Sequence, residues 1–402
     1  SASTSNCDPA ISAEASSSCR FSHRLAWRVP ARRWVVAGNG PGGKAFCREQ
    51  ASYAQDEHRS AAGRECGRVS GMRLLVLGGT HHVGRAVVET AVARGDEVTT
   101  LNRGLTGNQP PGARSLRADR TDPAALRAAL GSESWDAVID TWSGAPAVVR
   151  DAATLLAGRA GHYGYVSSVS VYRDPLPRGA DESTPTVDAD PASTDGADYQ
   201  AAKRGGELAA AAFGDRVLLA RAGLILGPYE IVGRMPWWLR RMERGGDVLA
   251  PGPQDMPLQY IDCRDLAAWM LEAADRGLAG AFNTVSRRGQ ATIGSLLEAA
   301  RDVTGSGARL VWVTPEVIVA AGIQGWIELP VWVPPDGEDA GVHDIDVSAV
   351  YAAGLVCRPV EETVADTWRW LQQENWQPQP RPGRPLHGLS PDVERRVLAS
   401  LA

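Results

Sequence analysis

"MRLLVLGGTHHVGRAVVETAVARGDEVTTLNRG", residues 72–104, decides the fold. Arg73 to Leu77 is an apolar run of strand length, Gly78-Gly79 punctuates it, a helix of about three turns follows, and a second strand ends near Asn102. This is a βαβ opening. A tight glycine turn between strand and helix lets backbone N–H groups and the helix N-terminus approach a pyrophosphate. The seven residues Gly78, Gly79, Thr80, His81, His82, Val83 and Gly84 are therefore the expected phosphate-binding turn. His81 stands where the usual GxxGxxG spacing has its middle glycine, so its side chain either turns outward or contacts phosphate. Adjacent residues at a helix start point apart, which argues against a metal site at His81-His82.

Outward from this run the same alternation continues. Strands are expected at Ser115 to Ala118, Ala137 to Thr141, Tyr163 to Ser167 and Val217 to Arg221, with helices at Pro123 to Leu130, Ala147 to Ala157 and Asp198 to Ala212. Such alternation implies an α/β fold with a doubly wound parallel sheet. After Arg221 the sequence turns irregular and rich in Trp, Pro and Gly, as a smaller C-terminal substrate-binding lobe would. The expected organisation is a dinucleotide domain over 72–222, with returning segments near 257–285, and a second lobe over 223–373. A Pro-rich link and terminal helix occupy 374–402.

Residues 1–71 are rich in Ser, Ala, Gly and Arg without periodicity, and are expected not to fold. They lack the apolar stretch of a secretory signal. Met72 directly precedes the first strand, and the leader is expected to be an extension rather than part of the native protein.

Lys+Arg total 42 against 47 Asp+Glu, and the leader holds ten of those bases but six of the acids, so the body is the more acidic part. That balance argues against a nucleic-acid partner, which calls for a basic face. No apolar run reaches the ~18 residues of a membrane span. Six Cys show no CxxC pair or zinc spacing, and Cys263 and Cys357 fit a reduced, cytoplasmic setting.

Only two lysines, Lys44 and Lys203, stand among forty arginines. Lys203 falls four residues after Tyr199 in "DYQAAKRGGE", one helical turn on and on the same face. Ser167 and Ser168 end the fifth strand, the edge where doubly wound sheets bind ligands. Ser168, Tyr199 and Lys203 supply the parts for moving a proton together with a hydride. A phenol of pKa ~10 needs a nearby cation to ionise, Lys203 supplies a compact three-donor ammonium, and Ser168 holds the substrate oxygen. Arg's planar fork does not replace that ammonium. Asn102 and Arg103 stand at the end of the second strand, where NAD sites offer a carboxylate, so Arg103 favours NADP(H) over NAD(H). Asp119 either accepts from the adenine amino group or caps the next helix.

With these motifs the chain resembles the short-chain dehydrogenase/reductase superfamily in its extended, atypical form, the NAD-dependent epimerase/dehydratase family. The resemblance rests on GGTHHVG, SSVSVY, Tyr199-x-x-x-Lys203, RAGLILGP, QYIDCRDLA, GAFNTV and RPVEETVADTWRW. The GGT-x-x-x-G turn looks like the branch of bacterial isoflavone-reductase-like and chloroplast stem-loop-binding proteins. The resemblance implies a Rossmann domain, an NAD(P)-dependent oxidoreductase with Ser168, Tyr199 and Lys203 catalytic, and a possible homodimer. Sugar dehydratases of the family place Asp-Glu where this chain has Val169-Ser170, which disfavours that activity. Two alternatives stand beside the oxidoreductase. One is a nucleotide-sugar epimerase with tightly bound NAD, for which Arg234, Arg240, Arg241, Arg287 and Arg288 offer cations. The other is an RNA-binding or NADP-sensing protein without turnover.

Overall fold

A computed structural model of the chain describes residues 71–105, 109–377 and 386–401. The leader up to residue 70 and the link residues 378–385 lie outside the described residues. Six strands follow the expected order: β1 Arg73–Leu77, β2 Glu97–Asn102, β3 Arg114–Arg117, β4 Ala137–Asp140, β5 Tyr163–Ser168 and β6 Val217–Ala222. Short strands β7 Leu224–Leu226, β8 Asp247–Pro251, β9 Pro257–Leu258 and β10 Tyr260–Asp262 come next, then β11 Gly280–Thr284, β12 Ala291–Thr292 and β13 Arg309–Val313. The main sheet has seven strands in the order β11-β6-β5-β4-β1-β2-β3, and every pairing in it is parallel. Chain order reverses between β1 and β4, which opens a crevice above their C-terminal ends.

The helices are α1 His82–Arg94, α2 Pro123–Leu130, α3 Pro146–Leu156, α4 Tyr199–Ala210, α5 Arg234–Glu243 and α6 Cys263–Asp275. They continue with α7 Ile293–Thr304, α8 Pro315–Ala320, α9 Ser348–Ala352, α10 Val360–Glu374 and α11 Pro391–Ser400. Strand residues alternate between two cores. Leu74, Val76 and Ile139 pack with α1 and α6, while Leu75, Leu77, Val138, Tyr163 and Tyr165 pack with α2, α3 and α4. Because both faces are covered, LLVL and AVI read as unbroken apolar runs instead of alternating ones. Each such side chain contributes about 1.5–3 kcal/mol by leaving water.

A third core lies in the irregular region. Trp238 and Trp332 are fully buried there, their indole N–H groups donating to Pro330 O at 2.8 Å and Gly252 O at 3.0 Å. α11 packs on this core through buried Glu394, which accepts from Arg241 Nε at 2.7 Å and from the Leu249 backbone N–H at 3.1 Å. β10, α6 and β11 lead back to the main sheet, where β11 pairs with β6.

Candidate active site at the switch point

The glycine turn leaves β1 with Gly78 at φ +127° and Gly79 at φ +104°, a region L side chains avoid. A Cβ on Gly78 would overlap the Thr141 hydroxyl, and one on Gly84 would lie 2.8 Å from Gly79 N. These glycines are what bring the turn and α1 together. His81 takes the N-cap position in extended conformation, and its side chain makes no cap hydrogen bond. Together with the lack of an acidic residue in the first turn of α1, this leaves the helix N-terminus available to an anion.

The structure places each turn residue differently. Gly78 and Thr80 line a cavity of about 180 Å³ together with Asn102, Arg103, Asp119 and Arg120. His81 instead lines a neighbouring cleft with Arg85, Tyr229 and Trp370. His82 has φ +39°, and burial brings its imidazole down to about 4. Val83 belongs to the core beneath.

In the small cavity, Asn102 Oδ1 accepts the Gly104 N–H at 2.9 Å, while its buried Nδ2 has no partner among the described residues. Arg117 Nε donates to the Arg103 carbonyl at 3.0 Å, which pins the loop. Asp119 accepts the Thr121 N–H at 2.9 Å and hydroxyl at 2.8 Å, bonds that hold its pKa below the usual carboxylate range. Capping α2 falls to Asp122, which accepts from Ala124 N and Ala125 N. Asp119 therefore stays on the cavity wall. The glycine cradle, the orphan Asn102 donor and the exposed cations Arg103 and Arg117 fit the adenosine and phosphate groups of a dinucleotide.

Ser168 ends β5, and its Oγ accepts the Ser170 N–H and donates to Ser170 Oγ, each at 3.1 Å. Ser167 faces the other way, giving its hydroxyl to buried Glu207 at 2.7 Å. The period-two geometry of the strand thus separates the two serines. Asp198 caps α4 by accepting Gln200 N at 2.9 Å and Ala201 N at 3.1 Å, which fixes Tyr199 as the first helical residue. One turn later Lys203, 3% exposed, donates to Trp142 O at 2.8 Å and Val166 O at 2.7 Å. Burial lowers its pKa to about 8. An ammonium has three donors, so one N–H remains for a ligand. Gly205 and Gly206, mid-helix, let α4 lie against Pro146 and Tyr165.

Sequence reasoning missed Arg117, Arg120 and Asp140. The segment "RADRTD" was legible only for Asp119, because arginines are abundant and their partners are distant in sequence. The cap arginines are mostly engaged. Arg240 donates to Glu243 Oε2 at 2.9 Å and Leu371 O at 3.2 Å, Arg241 to Glu394, and Arg287 stacks 4.2 Å from the Tyr351 ring centroid. Among the described residues there is no cluster of metal ligands, and no helix is long and apolar enough to cross a membrane.

A parallel sheet with this switch point, glycine turn and Tyr-Lys helix defines an enzyme of the short-chain dehydrogenase/reductase type. The chain belongs to the NAD dependent epimerase/dehydratase family, which it matches over residues 74–284. It is similar to the 2'-dehydrokanamycin reductase of Streptomyces kanamyceticus, with 34% identity over 161 residues, 38% of this chain and 43% of that protein. The match therefore spans less than half the length of that relative. In structure it is similar to Bordetella bronchiseptica WbmH in complex with NAD+, with 17% identity and a TM-score of 0.58 over 76% of this chain and 99% of that one. It is likewise similar to the Thermotoga maritima UDP-glucose 4-epimerase with UDP-glucose, with 16% identity and a TM-score of 0.54 over 75% and 99% of the chains.

Proposed function

We propose that the chain is an NADP(H)-dependent oxidoreductase that interconverts a carbonyl and a secondary alcohol. The observation that carries this reading is the Lys203 ammonium, buried with the Trp142 carbonyl and the Val166 carbonyl of β5 as acceptors and with one N–H to spare, one turn on from Tyr199, the first residue of α4. When bound, the nicotinamide group supplies or accepts the hydride. Tyr199 gives its phenolic proton to the forming alkoxide, and the Lys203 charge makes the resulting phenolate accessible. Ser168 orients the reacting oxygen. Arg103 in the loop after β2 and Arg117 at the end of β3, which holds that loop by donating to the Arg103 carbonyl, support a 2′-phosphate, whereas an NAD site would offer a carboxylate there.

The substrate class is a ketone on a polar, amine-bearing ring. Two observations support it: the activity named for the Streptomyces relative, and the segment 173–198 that joins the Ser168 end of β5 to α4. That segment carries seven Asp and Glu against two Arg. A nucleotide-sugar epimerase would need free cations for a diphosphate, and Arg240 and Arg241 already serve carboxylates and carbonyls. The free thiols Cys263 and Cys357 support a reducing, cytoplasmic setting.

The purified protein, supplied with NADPH and 2'-dehydrokanamycin, is expected to oxidise NADPH, and Tyr199→Phe to abolish this while NADPH binding persists. Interconversion of UDP-glucose and UDP-galactose with NAD+, and no NADPH oxidation, would establish the epimerase instead.

A further inference from the structure

Asp140 ends β4 fully buried. Its oxygens accept both terminal nitrogens of Arg120 at 2.7 Å each, the Tyr163 hydroxyl at 2.5 Å and the Trp142 backbone N–H at 2.9 Å. Burial opposes the Asp140 charge, but Arg120 outweighs it and holds the carboxyl below its usual range. The Trp142 carbonyl in turn accepts the Lys203 ammonium. Arg120 forms part of the cavity wall beside Asp119, its guanidinium 5.2 Å from the Trp142 ring centroid. Continuous contacts thus run from the small cavity through Arg120, Asp140 and Trp142 to Lys203.

A buried ion pair is weak evidence for stability, since apolar residues of equal volume often do as well. This pair sits where its charge matters to another buried group. The groups facing Lys203 are Asp140 from β4, Tyr165 from β5, whose ring centroid is 5.0 Å from Nζ, and Glu207 on α4 itself, where Tyr199 stands one turn before Lys203. Glu207 is occupied by Arg221, Arg204 and Ser167.

We infer that Asp140 and Arg120 are positioning residues for Lys203. They fix the Trp142 carbonyl that holds the ammonium, Asp140 supplies the negative charge that keeps it protonated, and Arg120 moderates that charge from the cavity wall. Burial draws Lys203 down while Asp140, ahead of Glu207, pulls it up. The inference rests on the proposed role of Lys203 beside Tyr199.

The lysine count makes a direct test possible. Full-length protein labelled with [13Cε]lysine gives two side-chain signals, assigned with Lys44→Arg, and each is titrated by NMR between about pH 6 and 11. In Asp140→Asn the Lys203 midpoint is expected to fall by about one pH unit or more, and in Arg120→Gln to rise. A merely structural role would not move the two in opposite directions. Unmoved midpoints, or shifts of the same sign, would overturn the inference. If Asp140→Asn does not fold by circular dichroism, Arg120→Gln decides alone: a rise supports the role and no rise overturns it. Lys203→Met keeps the two ideas apart. Retained turnover of 2'-dehydrokanamycin in that variant would refute the proposed function, whereas an inactive Lys203→Met with unmoved midpoints overturns only the positioning role.

Discussion

Gly206→Ala probes the close approach that brings Lys203 to its site. A Cβ at position 206 would overlap the Tyr165 hydroxyl, with the ring atoms Cζ at 2.7 Å and Cε1 at 3.1 Å. Tyr165 is fully buried and Lys203 sits above its ring, so neither the ring nor α4 yields without moving the ammonium. Replacing a mid-helix Gly by Ala gains ~1 kcal/mol in helix propensity. Overpacking a filled core costs about 1–3 kcal/mol, and contacts this short place the cost at the upper end. The net expectation is a loss of about 1–2 kcal/mol, read by urea unfolding followed by circular dichroism. Tyr165→Phe removes the nearest clashing atom, a buried hydroxyl with no partner among the described residues. That change alone should be close to neutral. Combined with Gly206→Ala it should recover part of the loss, with a coupling of about 1 kcal/mol. A Gly206→Ala protein as stable as the parent, or strict additivity in the double variant, would refute the close-approach argument.

Arg103→Ala and Arg117→Ala should each weaken NADPH binding roughly tenfold and leave NADH binding nearly unchanged, as measured by cofactor fluorescence; equal weakening for both cofactors would remove the 2′-phosphate assignment. His343 accepts the Gln259 backbone N–H on Nδ1 at 3.2 Å and donates from Nε2 to Val331 O at 2.9 Å, so only the neutral ring fits. Burial lowers its pKa to about 4 from 6.5. Between those values the unfolded chain binds the proton and the native one does not, so this contribution is complete above pH 6.5 and lost as pH falls toward 4, about 3 kcal/mol in all. His343→Gln should flatten the stability profile over that window, and an unchanged acid slope would discount this histidine. Glu394→Ala leaves Arg241 buried without its carboxylate and should cost about 3–5 kcal/mol in urea unfolding, whereas a loss under ~1 kcal/mol would mean that α11 is not anchored through this pair.

Local chemistry alone settled a good deal. The apolar runs, the glycine turn and the alternation of periods determine a doubly wound parallel sheet, because each is a property of neighbouring residues. The Tyr199-Lys203 spacing needs only a helix, and the Asp122 and Asp198 caps need only the residues that follow them. Contacts between residues far apart in sequence lay beyond that reach. The division of labour between Ser167 and Ser168 depends on which face of β5 meets Glu207, 40 residues away. The side of the turn that His81 takes depends on Tyr229 and Trp370. Asp140 gives no signal in "DAVIDTW", since its meaning comes from Arg120 on one neighbouring segment and Tyr163 on another. What the sequence by itself determined is the sheet, its turn and the pair of residues that share a helical face. What only the tertiary structure decided is which charges stand around the lone described lysine, because burial and distance, not order along the chain, set the energy of a charge.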